Sequence, residues 1–137
     1  MTPHSLRAGR LSLRLPRSRP VLIALDAVMA ANAFAGAWYA VAGAPGVPTE
    51  WLDGTPFDDY LVPGLILGGV VGASQVVAAI ALWRRAPRAK LVSQLTSTIL
   101  IVWIVTQLAM IGYVSALQPI VLAWALITLR LAARLEA

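Results

Sequence analysis

The stretch that decides the fold runs from Leu61 to Trp83 and reads LVPGLILGGVVGASQVVAAIALW. It contains no charged residue. As a helix it would be about 35 Å long, enough to cross a hydrocarbon core about 30 Å thick. Acidic residues precede the stretch at Asp58 and Asp59, and a basic cluster follows it. The sequence therefore predicts a transmembrane helix whose basic end faces the cytoplasm.

Composition extends this prediction to the whole chain. Hydrophobic residues make up 59% of the sequence and charged residues only 12%, whereas soluble domains average about 45–50% and about 25%. The absence of cysteine excludes disulfides, thiolate metal sites and thiol catalysis. The net charge of +5 comes from residues that flank apolar stretches. That placement favours anionic lipid headgroups over nucleic acid as the partner.

Three more apolar stretches accompany the first. Together they predict an all-α transmembrane four-helix bundle, formed by residues 21–137 after a basic cytoplasmic arm at residues 1–20. The four spans are expected at about 21–43, 61–83, 91–111 and 116–133. The spans are separated by one loop of about 17 residues and by two short turns, so no soluble domain is expected between them.

The basic residues also predict the orientation. All eleven Lys and Arg residues lie at the arm, in the turn after the second span or near the C-terminal end, and the opposite loop and turn contain none. By the positive-inside rule both termini are cytoplasmic, as four crossings require, and the chain is a multi-pass protein of the inner (plasma) membrane. The basic residues expected to face lipid headgroups are Arg7, Arg10, Arg14, Arg17, Arg19, Arg84, Arg85, Arg88 and Lys90.

Two alternatives remain open at the N-terminus. The arm either lies on anionic lipid or is a disordered tail that only sets orientation, and Pro16 and Pro20 favour the tail because they interrupt an amphipathic helix. The first span also has features of a cleaved signal peptide, with Ala33-Phe34-Ala35 as the small-residue site. Asp26 inside the apolar run argues against cleavage.

The loop at residues 44–60 carries Glu50, Asp53, Asp58 and Asp59 and no base. It could form a weak divalent-cation site, because hard cations take carboxylate oxygens. A solvated outer loop, with Asp58 or Asp59 capping the next helix, explains the acids better because their spacing matches no known ligand pattern. We expect no metal and no cofactor, since the single histidine, His4, lies outside every span.

Two ionisable groups lie within the spans. Asp26 is about 9 Å from the cytoplasmic boundary, and Arg130 is about 21 Å from the outer one and so also about 9 Å from the inner one. Because unpaired charges in lipid are costly, the matched depths predict an ion pair between the first and fourth helices. The alternative is that Arg130 extends to the headgroups while Asp26 is protonated or meets water.

Uncharged polar residues form a candidate polar cluster in the spans. At similar heights lie Asn32, Ser74, Gln75, Gln94, Thr98 and Thr128, and a second group near the outer boundary contains Thr106, Gln107, Ser115 and Gln118. They could line a path for a proton, an ion or a small solute, with Asp26 as the titrating group. They could instead be interhelical hydrogen-bond partners. This second interpretation is favoured because the spans contain only one acid that could titrate.

Small residues recur at helical spacing in two spans. Gly64, Gly68 and Gly72 form one row in the second span, and Ala27, Ala31 and Ala35 form another in the first. Such rows let helices approach closely in lipid. The pattern predicts helix packing but does not say whether the partner is the same chain or a second copy.

Two runs resemble a known type of protein. They are FDDYLVPGLILGGVVG at residues 57–72, and WIVTQ at residues 103–107 with IGYVSALQP at residues 111–119. Both are similar to small, uncharacterised four-span membrane proteins of high-GC Gram-positive (actinobacterial) type, and the resemblance covers roughly residues 20–133. It implies the four-span architecture and no site residues.

These observations predict a small membrane protein that is not an enzyme, because no catalytic motif is present. The favoured function is an accessory or self-associating structural subunit, as a homo-oligomer or within a larger membrane complex. The alternative is a homo-oligomeric, proton-coupled transporter or channel for small solutes that uses Asp26.

Overall fold

The computed structural model describes residues 18–135. This part of the chain contains no strand and four principal helices: α1 (Ser18–Val41), α2 (Leu61–Trp83), α3 (Ala89–Ile111) and α4 (Leu117–Ala133). A short 3₁₀ helix at Thr49–Leu52 lies in the loop between α1 and α2. The predicted all-helical, four-helix fold is confirmed.

Three of the helices, α1, α2 and α3, are long and apolar enough to cross a membrane, and α4 is a shorter apolar helix of 17 residues. Their outer faces carry large exposed apolar side chains such as Val28, Leu65 and Val102. In water such a surface would be unfavourable, whereas lipid accommodates it. This architecture indicates a membrane protein.

The helix bounds follow the predicted spans closely. The second helix has the predicted ends, and the third and fourth differ from prediction by two residues or fewer. Helix α1 is already helical at Ser18, three residues before the predicted span, so Pro20 lies within its first turn. Proline is tolerated near a helix start because the first N–H groups have no intrahelical partner.

Two hydrophobic clusters show how the helices run. One, the end cluster, joins the beginnings of α1 and α3 to the ends of α2 and α4 through Leu22, Leu82, Ala89, Ala132 and Leu135. Consecutive helices are therefore antiparallel, in an up-down-up-down bundle. Helix α1 packs along all of α2, and α3 packs along α4 and against the second half of α2.

The second cluster, here the middle cluster, is formed by Met29, Ala33, Val71, Leu100 and Ala125. Two tryptophans of the apolar spans, at positions 103 and 124, pack against it. Both therefore act as packing residues, in keeping with their position away from the helix ends.

Helix α2 is not a uniform α-helix. Residues Leu67–Gly72 form a π segment between two α-helical parts, Leu61–Ile66 and Ala73–Trp83. Hydrogen bonds in a π segment run from residue i to i+5, so its turns contain more residues than α turns. Just after it, Thr96 of α3 donates a hydrogen bond of 3.1 Å to the carbonyl of Ser74, which ties α3 to α2.

The turn between α3 and α4 is held by one buried amide. Gln118 Oε1 accepts hydrogen bonds from the N–H groups of Val114 (2.8 Å) and Ser115 (3.3 Å), and its Nε2 donates to the carbonyl of Gly112 (3.0 Å). Gln118 thus satisfies backbone groups left over at a helix junction. This residue of the predicted outer polar group has a structural role.

Candidate functional site

The interior of the bundle contains a polar layer between the two hydrophobic clusters. It consists of Asp26 on α1, Gln75 on α2, Ser93 and Ser97 on α3, and Thr128 on α4, each no more than 2% exposed. On every helix these residues lie between one member of the end cluster and one of the middle cluster. All four helices therefore contribute polar side chains to the same level of the interior.

The helical repeat explains why these residues point inward. On α1, Asp26 lies four residues after Leu22 and three before Met29, and all three are buried. On α3, Ser93 and Ser97 lie between the buried Ala89 and Leu100. Residues three or four apart share one face of a helix, so the polar residues continue the same inward stripes that form the two clusters.

Part of the layer is satisfied by hydrogen bonds. Ser97 Oγ donates to Thr128 Oγ1 at 2.9 Å, and Thr128 Oγ1 in turn donates to the carbonyl of Ala125 at 3.0 Å. This short relay connects α3 to α4 within the interior. It corresponds to the interhelical hydrogen bonding expected of polar residues in spans.

Other atoms of the layer are not satisfied. Asp26 Oδ2, Gln75 Oε1 and Ser93 Oγ are buried and have no hydrogen-bond partner. Leaving a buried polar atom unpaired costs about 1–3 kcal/mol, so such atoms are rare and call for an explanation. Two of the three atoms, Asp26 Oδ2 and Gln75 Oε1, accept hydrogen bonds unless the carboxyl is protonated. The layer therefore contains acceptor atoms that a proton or another small donor could satisfy.

The structure does not pair Asp26 with Arg130. Asp26 Oδ2 has no hydrogen-bond partner, and Arg130 is exposed. The inward face of α4 is formed by Ala125, Thr128 and Ala132. Arg130 is two residues from Thr128, which is about 200° around a helix. Asp26 and Arg130 lie at matching depths in the sequence-based estimate. In the structure, however, Asp26 is on the inward face of α1 and Arg130 is on the outward face of α4.

The predicted polar cluster is only partly assembled. Gln75 and Thr128 belong to the polar layer, whereas Asn32 and Thr98 are exposed. Gln94 is half-buried, and its carbonyl accepts a hydrogen bond from the Thr98 hydroxyl. Ser74 is half-buried and donates to the carbonyl of Val71, 2.8 Å away.

Ser93 and Ser97 are members of the layer that the sequence prediction missed. Hydropathy gave no signal for them, because the interior and the lipid face of α3 are both apolar. In the structure the buried residues of α3 recur at heptad-like spacing: Ala89, Ser93, Thr96, Ser97, Leu100 and Ile104. Gln94 and Thr98 are one position further along and so lie about 100° away. Choosing residues by height alone selected the wrong face.

The glycine row packs within the chain. A Cβ atom at Gly64 would lie 2.7 Å from the Cβ of Ala40, and one at Gly68 would lie 2.9 Å from the Cβ of Ala37. At Gly72 the nearest atoms belong to the Phe34 ring. The partner of the row is therefore α1 of the same chain, which removes this row as a surface for a second copy.

The predicted alanine row on α1 has a different place. Ala27, Ala31 and Ala35 are exposed, and the face that packs in the bundle carries Ala30, Ala33 and Ala37 instead. Because both rows consist of alanine, composition could not show which of them faces the bundle and which faces outward. The exposed row leaves a smooth face toward lipid.

The predicted lipid-facing basic residues differ in their environments. Arg19 is half-buried and its Nη1 donates a hydrogen bond of 2.8 Å to the carbonyl of Leu82, at the C-terminal end of α2. A cation is favourable there because helix C-termini present free carbonyls. In the turn after α2, Arg84, Arg85 and Arg88 are exposed and Lys90 is half-buried. Arg7, Arg10, Arg14 and Arg17 lie outside the described residues.

The loop acids have one clear structural contact. Asp59 Oδ1 accepts a hydrogen bond of 3.0 Å from the N–H of Leu61, the first residue of α2. Asp59 therefore satisfies one N–H group at the start of α2, but the N-cap position itself is Tyr60, which has no side-chain cap hydrogen bond. Across residues 18–135, no group of three or more His, Cys, Asp and Glu side chains is arranged to hold a metal ion.

Comparison with known proteins adds no relative. No family model, no curated protein and no solved structure matches the chain significantly. The polar layer and the surface of the bundle are therefore the features from which a function can be inferred.

Proposed function

We propose that the chain crosses a bacterial inner membrane four times with both termini in the cytoplasm, in the manner of the small actinobacterial-type membrane proteins that it resembles. The charge distribution supports this orientation. Helix α4, with 17 residues, is about 26 Å long and lies at the short end of the range for a membrane span. Its place in an antiparallel bundle beside three longer apolar helices supports the fourth crossing.

The topology can be tested with single cysteines, because the natural chain has none. Asp53→Cys in the long loop is expected to react with a membrane-impermeant maleimide in intact spheroplasts. Arg88→Cys in the basic turn is expected to react only after permeabilisation. Both positions are exposed, so they form a matched pair. The reverse pattern would contradict the proposed orientation, and labelling of both in intact cells would contradict a span between them.

We further propose that the protein is a proton-coupled transporter for a small solute and that Asp26 takes up and releases the proton. The observation that carries this proposal is the buried carboxyl with an unpaired Oδ2, in a layer where Gln75 Oε1 and Ser93 Oγ are also unpaired. An ionisable side chain inside a membrane bundle is costly and typically marks a functional site. Fully satisfied polar groups would instead indicate a purely structural layer.

The position of the site favours a carrier over a pore between subunits. Asp26 lies inside a single bundle rather than on its surface. The end cluster closes the layer on one side and the middle cluster closes it on the other. A carrier passes through such an occluded arrangement, with its binding group sealed from both sides of the membrane.

An accessory structural subunit is the second candidate, in which the bundle acts by association within an oligomer or a larger complex. The same two clusters favour it, because they leave the polar layer without an opening among the described residues. Under this proposal Asp26 would influence only stability. The two candidates therefore make opposite predictions for proton movement.

The distinguishing measurement uses purified protein in liposomes loaded with a pH-sensitive dye. With a potassium diffusion potential as driving force, we expect wild-type protein to move protons faster than protein-free liposomes and Asp26→Asn to abolish this flux. Thr98→Val is the control, because Thr98 is exposed and outside the polar layer. Infrared difference spectra between acidic and basic pH should show a carboxyl band that Asp26→Asn removes.

Two results would contradict a proton-coupled function. One is a wild-type flux equal to that of protein-free liposomes together with no titrating carboxyl band from Asp26. The other is an Asp26→Asn flux equal to the wild-type flux. Either result, with a correctly folded variant, would favour the accessory subunit.

A further inference from the structure

A large apolar groove lies on the outside of the bundle, between the first half of α2 and α3 from Leu95 onward. Its volume is about 560 Å³. Along its sides lie Ile66 and Val70 of α2 and Leu95 and Val102 of α3, all exposed at the surface. The floor includes Val71, which is buried in the middle cluster. The groove therefore opens sideways, toward the position of lipid.

The packing of α2 explains the groove. At its N-terminal half α2 is drawn against α1, because Gly64 and Gly68 allow close contact with Ala40 and Ala37. Helix α3 instead packs along α4, and its contacts with α2 are mainly to the C-terminal half of α2. Toward the loop end of the bundle, α2 and α3 are therefore separated, and no side chain of the described residues fills the space.

The loop between α1 and α2 forms a roof over one end of the groove. Leu52, Thr55, Phe57 and Tyr60 contribute to the lining there. The Thr55 hydroxyl donates to the carbonyl of Leu52 (2.6 Å), and the Tyr60 hydroxyl donates to the carbonyl of Pro48 (2.7 Å). These bonds fix the roof, so the groove has one defined end at the membrane boundary and an open apolar side.

From this geometry we propose that the groove binds one acyl chain of a membrane phospholipid, with the headgroup at the loop. The groove opens sideways between lipid-facing side chains, and its lining is almost entirely apolar. It follows α3 for about 24 Å, from Leu95 to Ile111. That length accommodates one acyl chain, which spans about half of a hydrocarbon core about 30 Å thick.

The polarity of the lining gives the chain a direction. Apart from Thr98, the hydroxyl and amide side chains of the lining belong to the loop end: Thr55 and Tyr60 in the roof, and Thr106 and Gln107 near the end of α3. The rest of the lining is apolar. An amphiphile therefore fits with its tail toward the middle of the bundle and its ester region at the loop.

Charge near the roof indicates the headgroup. The loop carries four acids and no base. Burial and, to a lesser extent, the nearby Glu50 carboxylate raise the pKa of the Tyr60 hydroxyl, so one of these acids lies close to the roof. Carboxylates repel anionic headgroups and attract amines. The occupant is therefore an amine-bearing phospholipid of the phosphatidylethanolamine class.

Photo-crosslinking in liposomes tests this proposal. The probes are phosphatidylethanolamine and phosphatidylglycerol that carry the same diazirine-labelled acyl chain, and adducts are mapped by mass spectrometry of peptides. With the ethanolamine probe, adducts should concentrate on groove residues of α2 and α3 rather than on the outer face of α4. The glycerol probe should label the groove about fivefold less, because of the loop carboxylates.

A matched pair of variants makes the test specific. Val102 and Val105 lie on the same helix and are 59% and 50% exposed, but only Val102 lines the groove. Val102→Trp should reduce groove labelling at least about threefold because the indole takes the space of the acyl chain. Val105→Trp should leave it unchanged. Unchanged elution and helical circular dichroism establish that both variants fold.

Three outcomes would overturn the proposal. Adducts spread evenly over all lipid-facing helices would show only general lipid contact. Equal effects of the two tryptophan variants would show that the groove is not the site of labelling. If Val102→Trp changed the elution from dimer to monomer and left the lipid adducts unchanged, the occupant would be a second copy of the chain. Because none of these outcomes involves Asp26, they can be distinguished from failure of the proposed proton coupling.

Discussion

Gly68→Leu is expected to destabilise the bundle by about 3 kcal/mol or more, whereas Gly69→Leu should leave its stability nearly unchanged. A Cβ at Gly68 would already lie 2.9 Å from the Cβ of Ala37, and a leucine adds three further carbons. Extra methylene groups in a packed interface cost about 1–3 kcal/mol because the neighbours must move. At Gly69 nothing lies within 4 Å of an added Cβ.

This pair is informative because both glycines belong to the same π segment, Leu67–Gly72. Both variants therefore lose the backbone flexibility of one glycine in the same segment. They differ only in whether the new side chain contacts α1. The measurement is the free energy of unfolding in mixed micelles titrated with sodium dodecyl sulfate. As a further check, Gly68→Ala should be rescued in part by Ala37→Gly, which removes the opposing methyl group.

Equal destabilisation by Gly68→Leu and Gly69→Leu would contradict the close packing of α1 on α2. A different result, in which Gly68→Leu left the monomer stable but broke an oligomer, would restore the row as a surface for a second copy. Both results are separable by measuring oligomeric state at each step of the titration.

The second large effect is expected from charge reversal at Asp26. Asp26→Arg should prevent folding or cost about 3–5 kcal/mol, the range measured when a buried charge loses its compensation. Arg130→Glu should not rescue it, because Arg130 is exposed and lies on a different face of α4 from the buried Thr128. Arg130→Ala alone should change stability by no more than about 0.5 kcal/mol, as is usual for surface positions.

These variants decide between a solitary carboxyl and an ion pair. Their unfolding free energies are compared in the same micelles, with Arg134→Glu as the control for a negative charge at another exposed position of the C-terminal end. If Arg130→Glu restored most of the stability lost in Asp26→Arg, the two residues would form the pair that their matched depths predict. The side-chain placement described above would then be incorrect.

Much of the fold could be predicted because membrane thickness constrains helix length so strongly. The absence of charge from Leu61 to Trp83, with acids before it and bases after it, was enough to predict the bounds of α2. Basic residues and prolines similarly marked the ends of the other spans. The shortened α4 was also visible, since Arg130 falls within its last turn.

The composition of the polar layer was harder to predict. Depth along a helix can be counted from its ends, and the residues chosen by depth include Asp26, Gln75 and Thr128, which are all buried in the layer. The direction in which a residue points could not be read from hydropathy, because both the lipid face and the interior of a membrane helix are apolar. Gln94 and Thr98 were therefore chosen in place of Ser93 and Ser97.

The groove could not be predicted at all from local sequence. It arises because one helix leans on a particular neighbour, and the glycine row does not reveal which neighbour that is. Leu95, Val102 and Ile66 have the composition of any lipid-facing residue. Only the relative positions of α2 and α3 show that they line a common space.

The π segment of α2 has a mechanical consequence. If the π segment changed to α-helical geometry, its turns would contain one residue fewer. The part of α2 that precedes the segment would then rotate about the helix axis by about 100° relative to Gln75. Gly64, which lies before the segment, would turn away from Ala40, and a larger side chain in its place would collide with α1. The π geometry of α2 and the packing of α1 against α2 therefore depend on each other. A change in one must be accompanied by a change in the other.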